Sequence, residues 1–176
     1  MNISILLPYK ENYSKNHAGA VSIFVNDTNN LSKFKKTIKV YGFTNEKKKL
    51  SNYKNINIKK KFFSSTSSQY INNFLKTING NKIDILEVHN RPHYIKYLKD
   101  LKKTKIILYF HNDPLKMQGS TNPKERTELL KNTDKIIFNS YWSKSRFLID
   151  LPNTINNLKI EVVHQSTSKT KIDFNK

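Results

Sequence analysis

Two apolar runs of strand length end in the same way, and that repetition restricts the fold more than any other feature of the chain. Residues 83–88 (IDILEV) lead into His89-Asn90-Arg91-Pro92, and residues 105–110 (KIILYF) lead into His111-Asn112-Asp113-Pro114. Each run is followed by His-Asn, a charged residue, a proline and then a helix-like segment. Strands that alternate with helical segments are joined in parallel, and short continuous apolar runs suit strands buried on both faces. In an open parallel sheet, ligands bind in the crevice outside the carboxyl ends of the strands. Both polar clusters are therefore expected at one edge of one sheet, as a single polar ligand site.

The same alternation runs through the rest of the chain. Residues 2–7 read as a buried strand and 8–17 as a polar loop. Residues 18–31 read as a helix carrying Val21, Phe24, Val25 and Leu31. A strand at 36–43 is followed by a lysine-rich loop at 44–55 and a short exposed edge strand at 56–62. The serine-rich stretch 64–68 caps a helix over 69–78, which Gly80 ends. A helix over 92–103 places Pro92 in its first turn and Ile95, Leu98 and Leu101 on one face. After a loop at 115–122 come a helix at 123–131, a strand at 134–138 and a helix at 140–149 capped by Ser140. In that last helix Trp142 and Phe147 are expected in the core, with Lys144 and Arg146 on a solvated or phosphate-facing edge. A strand at 158–163 and a polar tail at 165–176 complete the chain. The fold class is α/β: a single Rossmann-like domain, an open parallel sheet with helices on both faces. The domain is expected to span residues 1–164, with 165–176 opening an interdomain linker or tail.

The length of 176 residues suits one domain with a real core, or half of a two-domain protein. The absence of cysteine excludes disulfides and thiolate metal sites. The first ten residues read as a strand rather than a signal peptide, and no apolar run approaches the ~20 residues that span a bilayer. A soluble, cytoplasmic protein is expected. The formal charge of +19 draws a chain toward polyanions. Arginine occurs only at Arg91, Arg126 and Arg146, and lysine is abundant alongside asparagine and isoleucine, a bias that an AT-rich genome imposes on any surface. Where the charge does act, an anionic membrane face is the favoured partner. Sequence-specific nucleic-acid readers need arginine forks or stacking aromatics, and the aromatics here sit mostly in apolar periodic segments.

Three clusters carry candidate chemistry. Asn16-His17-Ala18-Gly19-Ala20 follows the first strand, where a small-residue loop lets a helix amino terminus approach a phosphate, or simply begins a helix. In Glu87-Val88-His89-Asn90-Arg91-Pro92-His93, Arg91 suits a phosphate or carboxylate, and Asn90 either satisfies the loop or meets a ligand. His89 and His93 flank a proline with no soft third ligand nearby, so no metal site is expected. In the third cluster, His111 suits proton transfer or a hydrogen bond to a substrate hydroxyl, and Asp113 either orients it or binds a sugar hydroxyl.

Taken together, the run from His111 to Ser120 (HNDPLKMQGS), the stretch from Glu87 to Pro92 and the segment from Asp134 to Phe147 resemble the amino-terminal, acceptor-side domain of GT-B glycosyltransferases of family 4. Their order and spacing are similar to members acting on bacterial envelope or spore-coat glycans, and the resemblance covers nearly the whole chain. It implies a retaining transferase that uses an activated nucleotide sugar as co-substrate and no metal, and a glycan or lipid-linked acceptor. By that resemblance His111 matches the cleft histidine that contacts the reacting sugar. Gly19 matches one glycine of the loop near the donor phosphates, with Ala18 where a second is common. Asn90, Arg91, Asn112 and Asp113 match cleft positions facing the acceptor. The second domain of the family, which binds most of the donor nucleotide and carries a pair of glutamates, has no counterpart here, so a separate donor-binding domain is an expected partner.

Two other classes stay open. An isolated domain of this kind suits a non-catalytic glycan- or partner-binding module. The charge alone suits a nucleic-acid-binding protein, whose affinity would fall steeply with salt.

Overall fold

Seven strands form one sheet in the order β3-β2-β1-β4-β5-β6-β7, and every neighbouring pair is parallel. The structure is a computed structural model and describes residues 1–58, 65–152 and 157–165. The strands are β1 (Ile3–Leu6), β2 (Ile38–Gly42), β3 (Tyr53–Asn55), β4 (Ile85–His89), β5 (Lys105–Phe110), β6 (Lys135–Phe138) and β7 (Ile160–Val162). The helices are α1 (Ala20–Leu31), α2 (Thr66–Ile78), α3 (Pro123–Asn132) and α4 (Tyr141–Leu148). The chain winds outward from β1 to β3, crosses back to β4 and continues to β7. The order therefore reverses between β1 and β4, the place where such sheets hold ligands.

Two apolar layers sandwich the sheet. On one face, Val21 and Val25 of α1 pack on Ile3, Ile5, Leu7, Ile38 and Val40. On the other, Tyr70 and Phe74 of α2, Leu129 of α3 and Phe147 of α4 pack on Leu86, Val88, Leu108, Phe110 and Phe138. Each such side chain taken fully out of water contributes about 1.5–3 kcal/mol. The helix starts follow local chemistry. Ser65, Asn122 and Ser140 each accept a hydrogen bond from the backbone N–H three residues on, at 3.2, 3.0 and 3.1 Å. Gly80 follows α2 at a φ of 77°, the left-handed region that glycine enters at no steric cost.

Three expectations change. The helix expected over 92–103 is a 3₁₀ segment, Pro92–Tyr97, followed by turns closed between Ile95 and Leu98, Leu98 and Leu101, and Leu101 and Thr104. The apolar spacing explains it: positions 95, 98 and 101 repeat every three residues, and a 3₁₀ turn stacks that period on one line. The edge strand expected at 56–62 lies instead at Tyr53–Asn55, within the stretch read as a loop. There Tyr53 stacks on Tyr13 with ring centroids 5.4 Å apart. Residues 59–62, residue 64 of the serine-rich stretch and 166–176 of the tail lie outside the described residues. Trp142 is not in the core: it is 59% exposed, whereas Phe147 on the same helix is fully buried. The Arg146 guanidinium sits 5.8 Å over the Trp142 ring, so the indole faces a cation rather than the sheet.

Candidate functional site

The carboxyl ends of β4 and β5 are stitched together by Asn90. Its backbone N–H donates to the Tyr109 carbonyl at 2.8 Å, and its side-chain Oδ1 accepts from the His111 N–H at 3.2 Å. Asn90 adopts a φ of 56°, a left-handed conformation that asparagine tolerates better than most residues. It is buried, and its carbonyl accepts from the Arg91 guanidinium at 2.8 Å. Of the expected ligand groups, Asn90 thus spends its side-chain oxygen on the scaffold, while Arg91 retains further donors.

Two cavities open on this edge. One, about 370 Å³, lies at the reversal point and is bordered by Pro8, Glu11, Asn90, Arg91, His111 and Asn112. The second, about 470 Å³, is bordered by Arg91, His93, Asn112, Asp113 and Lys116. Arg91 and Asn112 line both, so the two spaces meet over the strand ends. The edge thus collects Asn90, Arg91, His111, Asn112 and Asp113. Gly19 does not border either cavity; it lies beside Glu11, which borders the first.

Asp113 is turned away from His111. Its carboxylate accepts from the Leu115 N–H at 3.1 Å and pairs with Arg146 of α4 at 3.2 Å. Burial opposes its charge, but the hydrogen bonds from Arg146 and Leu115 outweigh burial and hold the carboxyl below its ordinary value. Arg146, expected on a solvated edge, is the partner that anchors the His111–Pro114 loop to α4.

At the amino terminus of α1 an anion is already in place. The Glu11 carboxylate accepts from the Ser22 N–H at 3.1 Å. It lies where a Cβ on residue 19 would stand, so a side chain there would have to displace the Glu11 carboxylate.

Sequence reading missed the layer behind His111. β4 runs one residue further than expected and carries His89 into the interior, where it is 1% exposed. His89 Nδ1 lies 2.9 Å from His111 Nε2, and His89 Nε2 lies 3.3 Å from Glu87 Oε2. The Tyr109 ring stacks against both imidazoles, with centroids at 5.3 and 4.6 Å, and Phe24 of α1 meets His111 edge-on at 5.1 Å. Burial first, and then the neighbouring His89, push the His111 pKa down to about 3. The signal was in the alternation: Glu87, His89, Tyr109 and His111 share one sheet face by two-residue spacing and by the pairings Glu87–Ile107 and His89–Tyr109. His93 points elsewhere, with Nε2 3.1 Å from Ser67 Oγ. Among the described residues no group of three or more histidine, aspartate or glutamate side chains is gathered to hold a metal ion. None of the described helices is long and apolar enough to cross a membrane.

No family model and no curated protein matches the chain. Solved structures do. The crystal structure of Anabaena Alr3699/HepE in complex with UDP superimposes at a TM-score of 0.60 with 12% identity, over 95% of this chain and 44% of that one. The likeness shows a shared fold. A UDP-glucosyltransferase from Polygonum tinctorium, solved with 3,4-dichloroaniline, matches more loosely, at a TM-score of 0.45 with 8% identity over 93% of this chain and 52% of that one. The chain spans less than half the length of the HepE chain and about half that of the plant enzyme.

Proposed function

We propose that the chain is the acceptor-side half of a GT-B glycosyltransferase, one that moves a sugar from a nucleotide sugar to a glycan or lipid-linked acceptor with retention of configuration. The observation that carries this reading is the pairing of a neutral His111 with a cationic Arg91 across one cavity at the strand-order reversal. An uncharged imidazole and a guanidinium bordering one cavity suit a ligand with both hydroxyl and anionic groups, the composition of a sugar phosphate. The shared fold with a structure solved with UDP supports the same reading.

In this reading His111 hydrogen-bonds a hydroxyl of the reacting sugar, while Arg91 and the exposed Asn112 meet acceptor hydroxyls or anionic groups. Asn90 and Asp113 act through the scaffold, holding the His111 loop. A donor phosphate approaching Gly19 meets the amino terminus of α1 only by displacing the Glu11 carboxylate. The nucleotide is gripped by a second, donor-binding unit, in the same polypeptide or a separate one. The lysine-rich surface docks on an anionic membrane face where envelope acceptors are assembled.

The test is sugar transfer by the full-length natural protein with a panel of nucleotide sugars and a cell-envelope acceptor extract. His111→Ala is expected to abolish transfer while leaving the melting temperature within a few degrees. Near-normal turnover by that variant would refute the role of His111, and absence of any transfer or donor hydrolysis by the unmutated protein would refute the activity.

A further inference from the structure

The hydrogen-bond order behind His111 fixes which of its nitrogens faces the cavity. An ionised carboxylate only accepts, so the contact between Glu87 Oε2 and His89 Nε2 needs the proton on His89 Nε2. A neutral His89 then offers a bare Nδ1, and the 2.9 Å contact to His111 needs the proton on His111 Nε2. What remains on His111 is an unprotonated Nδ1, and this is the atom on the cavity side. Gln165 reaches it with its side-chain amide Nε2, a donor facing an acceptor. The surroundings favour a neutral His111: burial opposes its charge, and Tyr109 and Phe24 enclose its ring with aromatic surface.

We propose that Glu87 and His89 are positioning residues that lock His111 in its Nε2-protonated tautomer, so that Nδ1 faces the cavity as an acceptor for a ligand hydroxyl. A histidine left to itself samples both tautomers, and which one prevails is set by the bond its other nitrogen makes. Here two residues of β4 decide it from behind, without touching the ligand. The Gln165 amide marks the place of that hydroxyl, and a ligand entering the cavity takes it over. An anionic group is excluded at the same point, because two lone-pair atoms would face each other; phosphate or carboxylate belongs on Arg91. The proposal rests on the glycosyltransferase reading only for the identification of the hydroxyl as a sugar's.

The deciding measurement needs no substrate. Long-range proton–nitrogen NMR on the full-length natural protein, labelled with ¹⁵N-histidine, reports which ring nitrogen carries the proton. The His111 signals, assigned by their loss in His111→Gln, are expected to show Nε2 protonated and Nδ1 bare at neutral pH. A proton on Nδ1 in the unmutated protein overturns the proposal directly, whether or not any variant folds. Glu87→Leu removes the distal acceptor at a partly exposed position, and His89→Phe removes both nitrogens while keeping a ring in the stack. Each is expected to replace the single tautomer by a mixture; an unchanged tautomer in both overturns the positioning role. The expected tautomer in a protein that transfers no sugar supports this inference while the functional reading fails, so the two are separable.

Discussion

Glu11 and Gly19 share one volume: the carboxylate of the first occupies the space that a side chain on the second would need. The consequence is a helix α1 whose capping residue has no side chain and whose free N–H groups are served from an adjacent loop. A cap of this kind, with its charge on the positive end of the helix, contributes about 1 kcal/mol. Glu11→Ala is expected to lose that amount in urea unfolding. Gly19→Ala is expected to lose as much by evicting the same carboxylate, and the double variant should be little worse than either single one. Additive losses would show that the two positions act independently.

Asn90 supports two requirements that substitutions can separate. Asn90→Gly keeps the left-handed backbone and loses the side-chain bond to the His111 N–H, at a cost of about 1 kcal/mol. Asn90→Ala loses the bond and also puts in the left-handed region a residue that tolerates it less well than asparagine, about 2 kcal/mol in all. Alanine should therefore unfold at lower denaturant than glycine. The reverse order would mean that the φ of 56° is not maintained in solution.

The architecture was legible because its signals are local. Apolar runs, the capping serine-rich stretch, Ser140 as a cap, and prolines at helix starts each act within a turn, and strand β5 falls on the residues read from sequence. The segment after Pro92 misled because a spacing of three apolar residues serves an α-helix face and a 3₁₀ line equally well over one or two turns. Trp142 misled because its burial depends on whether the sheet extends beneath it, which no window of sequence states. At the site, His111 and Arg91 were legible as polar residues at strand ends. The side-chain layer of Glu87, His89 and Tyr109 was not, since it needs the register between β4 and β5. The pairing of Asp113 with Arg146 spans 33 residues and two elements, and neither residue's neighbours announce it.

The depressed pKa of His111 has a measurable thermodynamic face. An ordinary histidine titrates near 6.5, whereas His111 in the fold titrates near 3. Between those values the unfolded chain binds the proton that the folded chain refuses. Stability is thus fully present above pH 6.5 and falls as pH drops toward 3. The groups around it are His89 and Glu87 on β4, Tyr109 on β5, Phe24 on α1, and Glu11 and Arg91 across the cavity. His93, lowered by burial and then by Arg91, bends the curve in the same sense. The difference between the unmutated protein and His111→Gln isolates the titration of His111. The variant should show a shallower loss of stability from about pH 6.5 to 4. Parallel curves would mean that His111 is protonated as readily in the fold as in the unfolded chain.

Asp113 and Arg146 titrate in a separate window. Because the carboxyl of Asp113 is held below its ordinary 3.8, its pairing stabilises the fold above that pH and is lost as pH falls through the folded value. Arg146 is 35% exposed, so solvent and salt screen the pair, and its contribution is under about 1 kcal/mol. Arg146→Ala is expected to lose that amount at neutral pH and progressively less in acid. Added salt should shrink the difference further. The same substitution frees the Asp113 loop from α4 while leaving its bond to the Leu115 N–H, so the His111 end of β5 should become more open to hydrogen exchange without global unfolding. An equal loss of stability at neutral and strongly acidic pH would assign the effect to the packing of Arg146 over Trp142 instead of to its charge.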